Sequence, residues 1–369
     1  MREKANAQTE YLIHLISCVL NEKKPKEPQG IDFRALFEIA KEQEIFNLLN
    51  DEIQTMSAVP NEIKELFRNH AMSELNRMIA LSAQRNILYS KFSEKKIKFM
   101  PLKGLIFKDY YPKESMRQMS DNDILIDEEK RNDAAKIMEE LGYKPTDLTQ
   151  NSDDYFKEPF YTFELHRSLF DEESEFSPKF DNVWENSKKD EKSEYLYHMA
   201  KEDVYVYSIC HMYKHYIKFC CGIRFLIDNY LFLKKEKEFL KWDYINSELE
   251  SFSLAEYERQ TRELSQKLFE ERELNEKEQK LLENYINFGI YGNREGRILQ
   301  EYSRSKSRAS YFIRRLFPRK KDMLFIYPIL EKKPYLLPFL LIHRLFKGIF
   351  NFKKNADELK SVNRLEKEN

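Results

Sequence analysis

The sequence predicts an α+β fold, mostly helical overall, in which one small mixed sheet is flanked by N- and C-terminal helical regions. Three observations lead there. The 369 residues include only 8 Gly against a charged fraction of 34%, and few glycines with long Lys/Glu-rich segments disfavour an all-β protein, whose turns recur every few residues. Apolar residues recur at helical spacing before about residue 93 and again after about residue 171. Between them the texture changes to strand, helix, strand, helix, strand, enough for a compact unit of small-domain size. These shifts divide the chain into an N-terminal helical region (1–93), an α/β core (94–170), a helical region that completes the cleft (171–300) and a basic, apolar-rich C-terminal arm (301–369).

Taken in order, "IDFRALFEIAKEQEIFNLLNDEIQTM" (31–56) places Phe33, Leu36, Phe37, Ile39 and Ala40, then Ile45, Leu48 and Leu49, at helical spacing. "PNEIKELFRNHAMSELNRMIALSAQRNILYSKFSE" reads as a long helix opened by Pro60, a residue the first turn tolerates. "IKFMPL" is a short strand, Gly104 a tight turn and "LIFKDYY" a helix. "DNDILI" is a second strand, and "DEEKRNDAAKIMEELG" a helix with an acidic first turn, closed by Gly142. After a polar loop, "EPFYTFELHRSLF" alternates, with Thr162, Glu164 and His166 on one face and Phe163 and Leu165 on the other. Helical texture resumes with "EDVYVYSICHMYKHYIKFCCGIRFLIDNYLFLKK".

Composition narrows the functional classes. Cys18, Cys210, Cys220 and Cys221 include no CxxC spacing, and the adjacent pair is poorly placed for a disulfide, so a reducing, cytoplasmic compartment is expected and a zinc ribbon is not. "YLIHLISCVL" near the N-terminus carries His14 and leads into "NEKKPKEP" without a small-residue cleavage site, which reads as a helix face rather than a signal peptide. The formal net charge of −1 conceals an uneven distribution, because residues 302–354 carry fourteen Lys or Arg against Asp322 and Glu331. Three readings of this arm stand together. It could be a packed helix with a solvated basic face, a peripheral contact with the anionic inner face of a membrane, or an RNA-backbone contact.

The chemical question lies in "RQMSDNDILID" (117–127). Asp121 and Asp123 are two positions apart at the start of a strand, where side chains i and i+2 share a face and like charges repel. One reading is a solvated turn whose Asx-type bonds start the strand. The other is a pair of carboxylates held around a cation, for which a divalent metal is the usual candidate. Glu164, on a later strand, supplies a third carboxylate for Mg²⁺, or for Mn²⁺ in its place. Upstream, Gly104 offers close backbone approach at a helix start, and Lys103 and Arg117 put positive charge on either side of that turn. His166 shares the face of Glu164 and suits either a phosphate-contacting or a structural role. His211 and His215, at i and i+4 without an intervening Glu, are expected to line the cleft or pack under tyrosines rather than to bind zinc. Arg224 and Asp228, also i and i+4, read as a helix-surface or interhelix ion pair, with a role in the substrate pocket as the alternative.

In order and spacing, "PLKGLIFKDYYPKESMRQMSDNDILI", "LGYKP" and "FELHRSLF" resemble the uncharacterised nucleotidyltransferase family found in bacteria, within the polymerase-β-like superfamily. The likeness is concentrated in residues 100–170 and extends more weakly through "HMYKHY" and "GIRFLIDNYLFL". It implies a small mixed-sheet nucleotidyltransferase core, with Asp121 and Asp123 binding the catalytic metals and Glu164 as the third carboxylate, which positions or deprotonates the acceptor. Together with the turn and strand-face reading above, Lys103, Gly104, Arg117 and His166 are expected around the nucleotide, with an NTP such as ATP as donor. The sequence departs from the superfamily's usual Gly-Ser turn, since Lys103-Gly104 carries no hydroxyl. The expected activity is metal-dependent transfer of an NMP group to a hydroxyl acceptor, which the sequence does not identify. The alternative is a catalytically degenerate nucleotide-binding or adaptor protein of a surface-polysaccharide or toxin-antitoxin system. Neither reading fixes an oligomeric state.

Overall fold

A computed structural model of the chain describes residues 2–219, 221–287, 289–290, 298, 302, 305, 310–311, 313, 330 and 333–341, and at 2–6 and 219 the backbone alone. The chain forms two compact units, Met1–Tyr213 with Ile223–Ile286, and Lys214–Gly222 with Asn287–Asn369. In the second, Ile298 and Tyr311 are buried together. Most of the basic arm, with the membrane and RNA readings attached to it, lies outside the described residues.

The first unit begins with four helices, α1 (Arg2–Leu20), α2 (Phe33–Glu42), α3 (Phe46–Thr55) and α4 (Asn61–Glu94). Asp32 caps α2 by accepting hydrogen bonds from the amides of Arg34 (3.0 Å) and Ala35 (3.1 Å), as a short side chain at that position favours. The apolar stripe of 31–56 is divided between two helices, because Glu44 adopts a left-handed φ of 51° between them. Pro60 stands at the N-cap of α4, which runs for 34 residues.

The core follows as β1 (Phe99–Pro101), α5 (Gly104–Phe107), β2 (Asn122–Ile126), α6 (Arg131–Glu140), β3 (Lys144–Leu148), β4 (Ser152–Lys157) and β5 (Tyr161–His166). Gly142 closes the α6 region with a φ of +83°. The sheet has the order β1-β2-β5-β4-β3. β2 and β5 are parallel, and the other neighbours are antiparallel. Leu88 and Phe92 of α4 and Ala134, Ile137 and Met138 of α6 pack with Phe99, Ile124, Ile126, Phe163 and Leu165 in one hydrophobic core. Alternation along the strands therefore sends Asp123, Glu164 and His166 to the opposite face. The polar loop expected before "EPFYTFELHRSLF" is instead the β3-β4 hairpin. Every residue of β3 is exposed, so that strand has no apolar alternation for a sequence to display.

After α7 (Ser177–Phe180) and a two-stranded ribbon of β6 (Lys188–Lys189) and β7 (Tyr197–His198) come α8 (Lys201–Phe219), α9 (Arg224–Glu236), α10 (Trp242–Ser251), α11 (Ala255–Phe269) and α12 (Glu276–Ile286). Polar side chains join these helices to the N-terminal ones. Gln43 donates to the carbonyls of Tyr285 (3.0 Å) and Ile286 (2.8 Å) and accepts from the Ile223 amide (2.8 Å), and Ser17 donates to the Phe269 carbonyl (2.8 Å). Among the described residues no helix is long and apolar enough to cross a membrane.

Candidate active site

The parallel register sets Asp123 of β2 directly beside Glu164 of β5, and Leu125 beside His166. Asp121 lies one residue before β2, in a bend, and is half-buried. The turn between β1 and α5 carries Lys103 into the same place, anchored by the Leu102 amide donating to the Asp123 carbonyl at 3.0 Å. The Lys103 ammonium donates to Asp123 Oδ1 at 2.6 Å and to Glu164 Oε2 at 3.3 Å, and lies 3.3 Å from His166 Nε2. His166 Nε2 is 3.1 Å from Asp123 Oδ1 and 3.3 Å from Glu164 Oε2. The cation that faces these carboxylates is one the chain itself supplies.

This crowding shapes the charges. Burial raises the Asp121 pKa, with the Asp123 charge adding to it and Lys103 opposing, to about 7. Burial likewise penalises ionised Glu164, but the hydrogen bond from His166 and the charge of Lys103 outweigh it and hold this carboxyl well below its ordinary range. For Lys103 and His166, burial disfavours the charged form, and the Asp123 and Glu164 carboxylates more than offset that, raising both pKa values.

The left-handed backbone of the turn falls on Lys103, with φ 48° and ψ −118°, a strained conformation for a residue with a Cβ. Gly104 does not share it. Its lack of a side chain is required by Arg117, since a Cβ at 104 would come within 2.5 Å of Arg117 Nη1. Arg117 itself is buried and forms a two-pronged pair with Asp228 of α9, Nε to Oδ1 at 2.9 Å and Nη2 to Oδ2 at 2.7 Å. Tyr111 also donates to Asp228 Oδ1, at 2.8 Å. The Arg117 charge is thus neutralised inside the fold, beneath the turn. Arg224 does not pair with Asp228 as its spacing suggested. It reaches Glu44 at 2.6 Å instead, because Asp228 is turned toward Arg117.

Two arginines of α4 hold the segment that bears the aspartates. Arg77 donates to the carbonyls of Met119 (3.2 Å) and Ser120 (2.6 Å), and Arg85 to Asn122 Oδ1 (3.0 Å). On β4, Asp154 is in register with Glu164, and Asp147 of β3 with Asp154, which extends the carboxylate row across four strands. The sequence reading missed all of these. Arg77 and Arg85 look like ordinary helix-surface charges, and Asp147 and Asp154 lie in the unrecognised hairpin. His211 packs 5.9 Å from the ring of Tyr207 and 5.9 Å from that of Phe225.

The parallel strands β2 and β5 thus hold two in-register carboxylates beside an ammonium and an imidazole. Residues 29–270, more than half of the chain, match the family described as uncharacterised nucleotidyltransferase, and the chain belongs to that family. A solved structure similar to it is the solution structure of the antibiotic-resistance factor ANT(2'')-Ia, at 10% identity and a TM-score of 0.37, covering 50% of this chain and 95% of that one. No curated protein matches the chain significantly.

Proposed function

We propose that the chain transfers a nucleotidyl group from a nucleoside triphosphate to a hydroxyl acceptor, assisted by a divalent cation. The supporting observation is the convergence of Asp123, Glu164 and His166, whose ligand atoms all lie within 4.8 Å of one another. The donor set fits. Two carboxylates suit Mg²⁺ or Mn²⁺, and an imidazole nitrogen is compatible with the latter. Asp121, with its raised pKa, is a further carboxylate whose ionised form a nearby dication would favour. Asp123, Glu164 and His166 would hold the dication, which when bound would supply charge neutralisation for the triphosphate and a lowered pKa for the acceptor hydroxyl.

The chain's own groups act around that chemistry. Glu164, kept ionised far below its ordinary range, is a weak proton acceptor, and its role is to orient the acceptor by taking a hydrogen bond from the hydroxyl. His166 steadies Asp123 through its 3.1 Å contact. Lys103 brings a positive charge to the triphosphate side of the carboxylates, and Arg117 supports the turn from below. The test is incubation of the purified protein with Mg²⁺, each labelled NTP and cell extract as the acceptor source. Pyrophosphate release together with label transfer is expected, and absence of both for all NTPs refutes the reading. One observation favours a second reading, nucleotide binding without turnover. Lys103 already pairs with both carboxylates, and under that reading NTP binds but no pyrophosphate forms.

A further inference from the structure

α4 reverses the usual amphipathic order. Between Met72 and Ser90 its charged residues are Glu74, Arg77 and Arg85, and all three are engaged within the fold: Glu74 with Arg77 at 2.9 Å, Arg77 with the carbonyls of Met119 and Ser120, and Arg85 with Asn122. Leu81 and Leu88, at seven-residue steps from Glu74, are buried. The opposite side is exposed and carries no charge. Met72 is 52% exposed, Ile79 60% and Ile87 44%, and Asn76, Ala83, Asn86 and Ser90 stand exposed with them. In a chain with 34% charged residues, the solvent face of a helix is expected to be the charged one. A neutral, partly apolar face that runs for about 27 Å, at 1.5 Å per residue from Met72 to Ser90, marks a surface that meets another molecule.

The spacing identifies the partner. Met72, Asn76, Ile79, Ala83, Asn86 and Ser90 alternate steps of four and three, the seam one helix offers to another packed nearly along it. Reversed end for end, this seam fits itself. About a two-fold axis level with residue 81, Ile79 faces Ala83, Met72 faces Ser90 and Asn76 faces Asn86. Each large apolar side chain then meets a small one, and amide meets amide, a group that both donates and accepts. Charge selects the same partner, because a charged surface would lose hydration here with nothing to pair it, whereas a second copy brings no charge. We propose that two copies of the chain associate through an antiparallel, isologous contact between their α4 helices. A seam one helix wide, about 10–12 Å, is at the small end of specific interfaces, so the dimer is a reversible one.

Sedimentation velocity of the purified full chain, from about 1 to about 200 μM, tests the proposal on the wild type and on Ile79→Glu, a change at an exposed position that a helix tolerates. The wild type is expected to pass from monomer to dimer over that range. Ile79→Glu should weaken association by more than about tenfold, since it buries a carboxylate without a partner in the seam, while its melting temperature at the lowest concentration stays level. Oxidation of single-cysteine variants reads the register: a mixture of Ile79→Cys and Ala83→Cys should form a disulfide-linked dimer more readily than Ile79→Cys alone. A wild type that stays monomeric throughout, a dimer that Ile79→Glu does not weaken, or Ile79→Cys linking to itself in preference to Ala83→Cys overturns the proposal.

Discussion

Gly104→Ala isolates the packing beneath the turn. The new Cβ would stand 2.5 Å from Arg117 Nη1 and 3.3 Å from its Cζ, so the guanidinium has to move. A solvent-exposed arginine would do so cheaply. This one is held by two hydrogen bonds to Asp228, itself buried and also bound by Tyr111. Displacing it separates a buried ion pair, an effect of roughly 3–5 kcal/mol, while Ala in place of Gly in a helical turn returns about 0.5–1 kcal/mol. The net loss is about 2–4 kcal/mol, and at about 2 °C per kcal/mol for a large domain the melting temperature falls by about 4–8 °C. The assay is thermal denaturation of Gly104→Ala in the wild type and in an Arg117→Met/Asp228→Leu background, where the pair is already replaced by apolar groups. In that background the same substitution should cost less than about 1 kcal/mol, a non-additivity diagnostic of direct coupling. Wild-type melting of the single variant, or an equal loss in both backgrounds, would refute the clash as the reason for glycine.

The remaining predictions concern the charged cluster. Lys103→Gly and Lys103→Ala both lose the ammonium, but only Ala keeps a Cβ at φ 48°, so the Gly variant should be the more stable by about 1 kcal/mol; equal melting temperatures would argue against strain in the turn. Asp121 has a folded-state pKa raised to about 7, so between about pH 4 and pH 7 the unfolded chain releases a proton that the folded one retains, and the group costs stability as pH rises. In EDTA, Asp121→Asn should therefore gain on the wild type between pH 5 and pH 8, and a constant gap in melting temperature across that range contradicts the assignment. Glu164→Gln should lower kcat more than nucleotide affinity, as loss of an acceptor-orienting group requires; an effect confined to KM for the nucleotide would remove Glu164 from that role.

Features set by local pattern were legible in advance. Alternation in 161–166 assigned Glu164 and His166 to one face and Phe163 and Leu165 to the other, and the structure buries the last two in the sheet core. The closure of the helix after β2 was legible from Gly142, which adopts the left-handed φ of +83° that glycine permits just past a helix end. The β3-β4 hairpin was not legible, since β3 is exposed throughout and an exposed strand leaves no apolar trace. Arg117 and Lys103 were recognised as cations beside the turn, but their partners were not.

By itself the sequence determined the helical regions, the strands that carry Asp123 and Glu164, and the faces on which those side chains stand, because period and capping act over a few residues. Only the tertiary structure decided which charges meet. Lys103 lies 20 residues from Asp123 and 61 from Glu164, Arg117 lies 111 from Asp228, and β5 is inserted next to β2 ahead of the strands that precede it in the chain. Such pairings leave no periodic mark on either partner. They are selected when the fold closes, as burial makes an unpaired charge too costly to leave and the nearest opposite charge in space, not in sequence, becomes its partner.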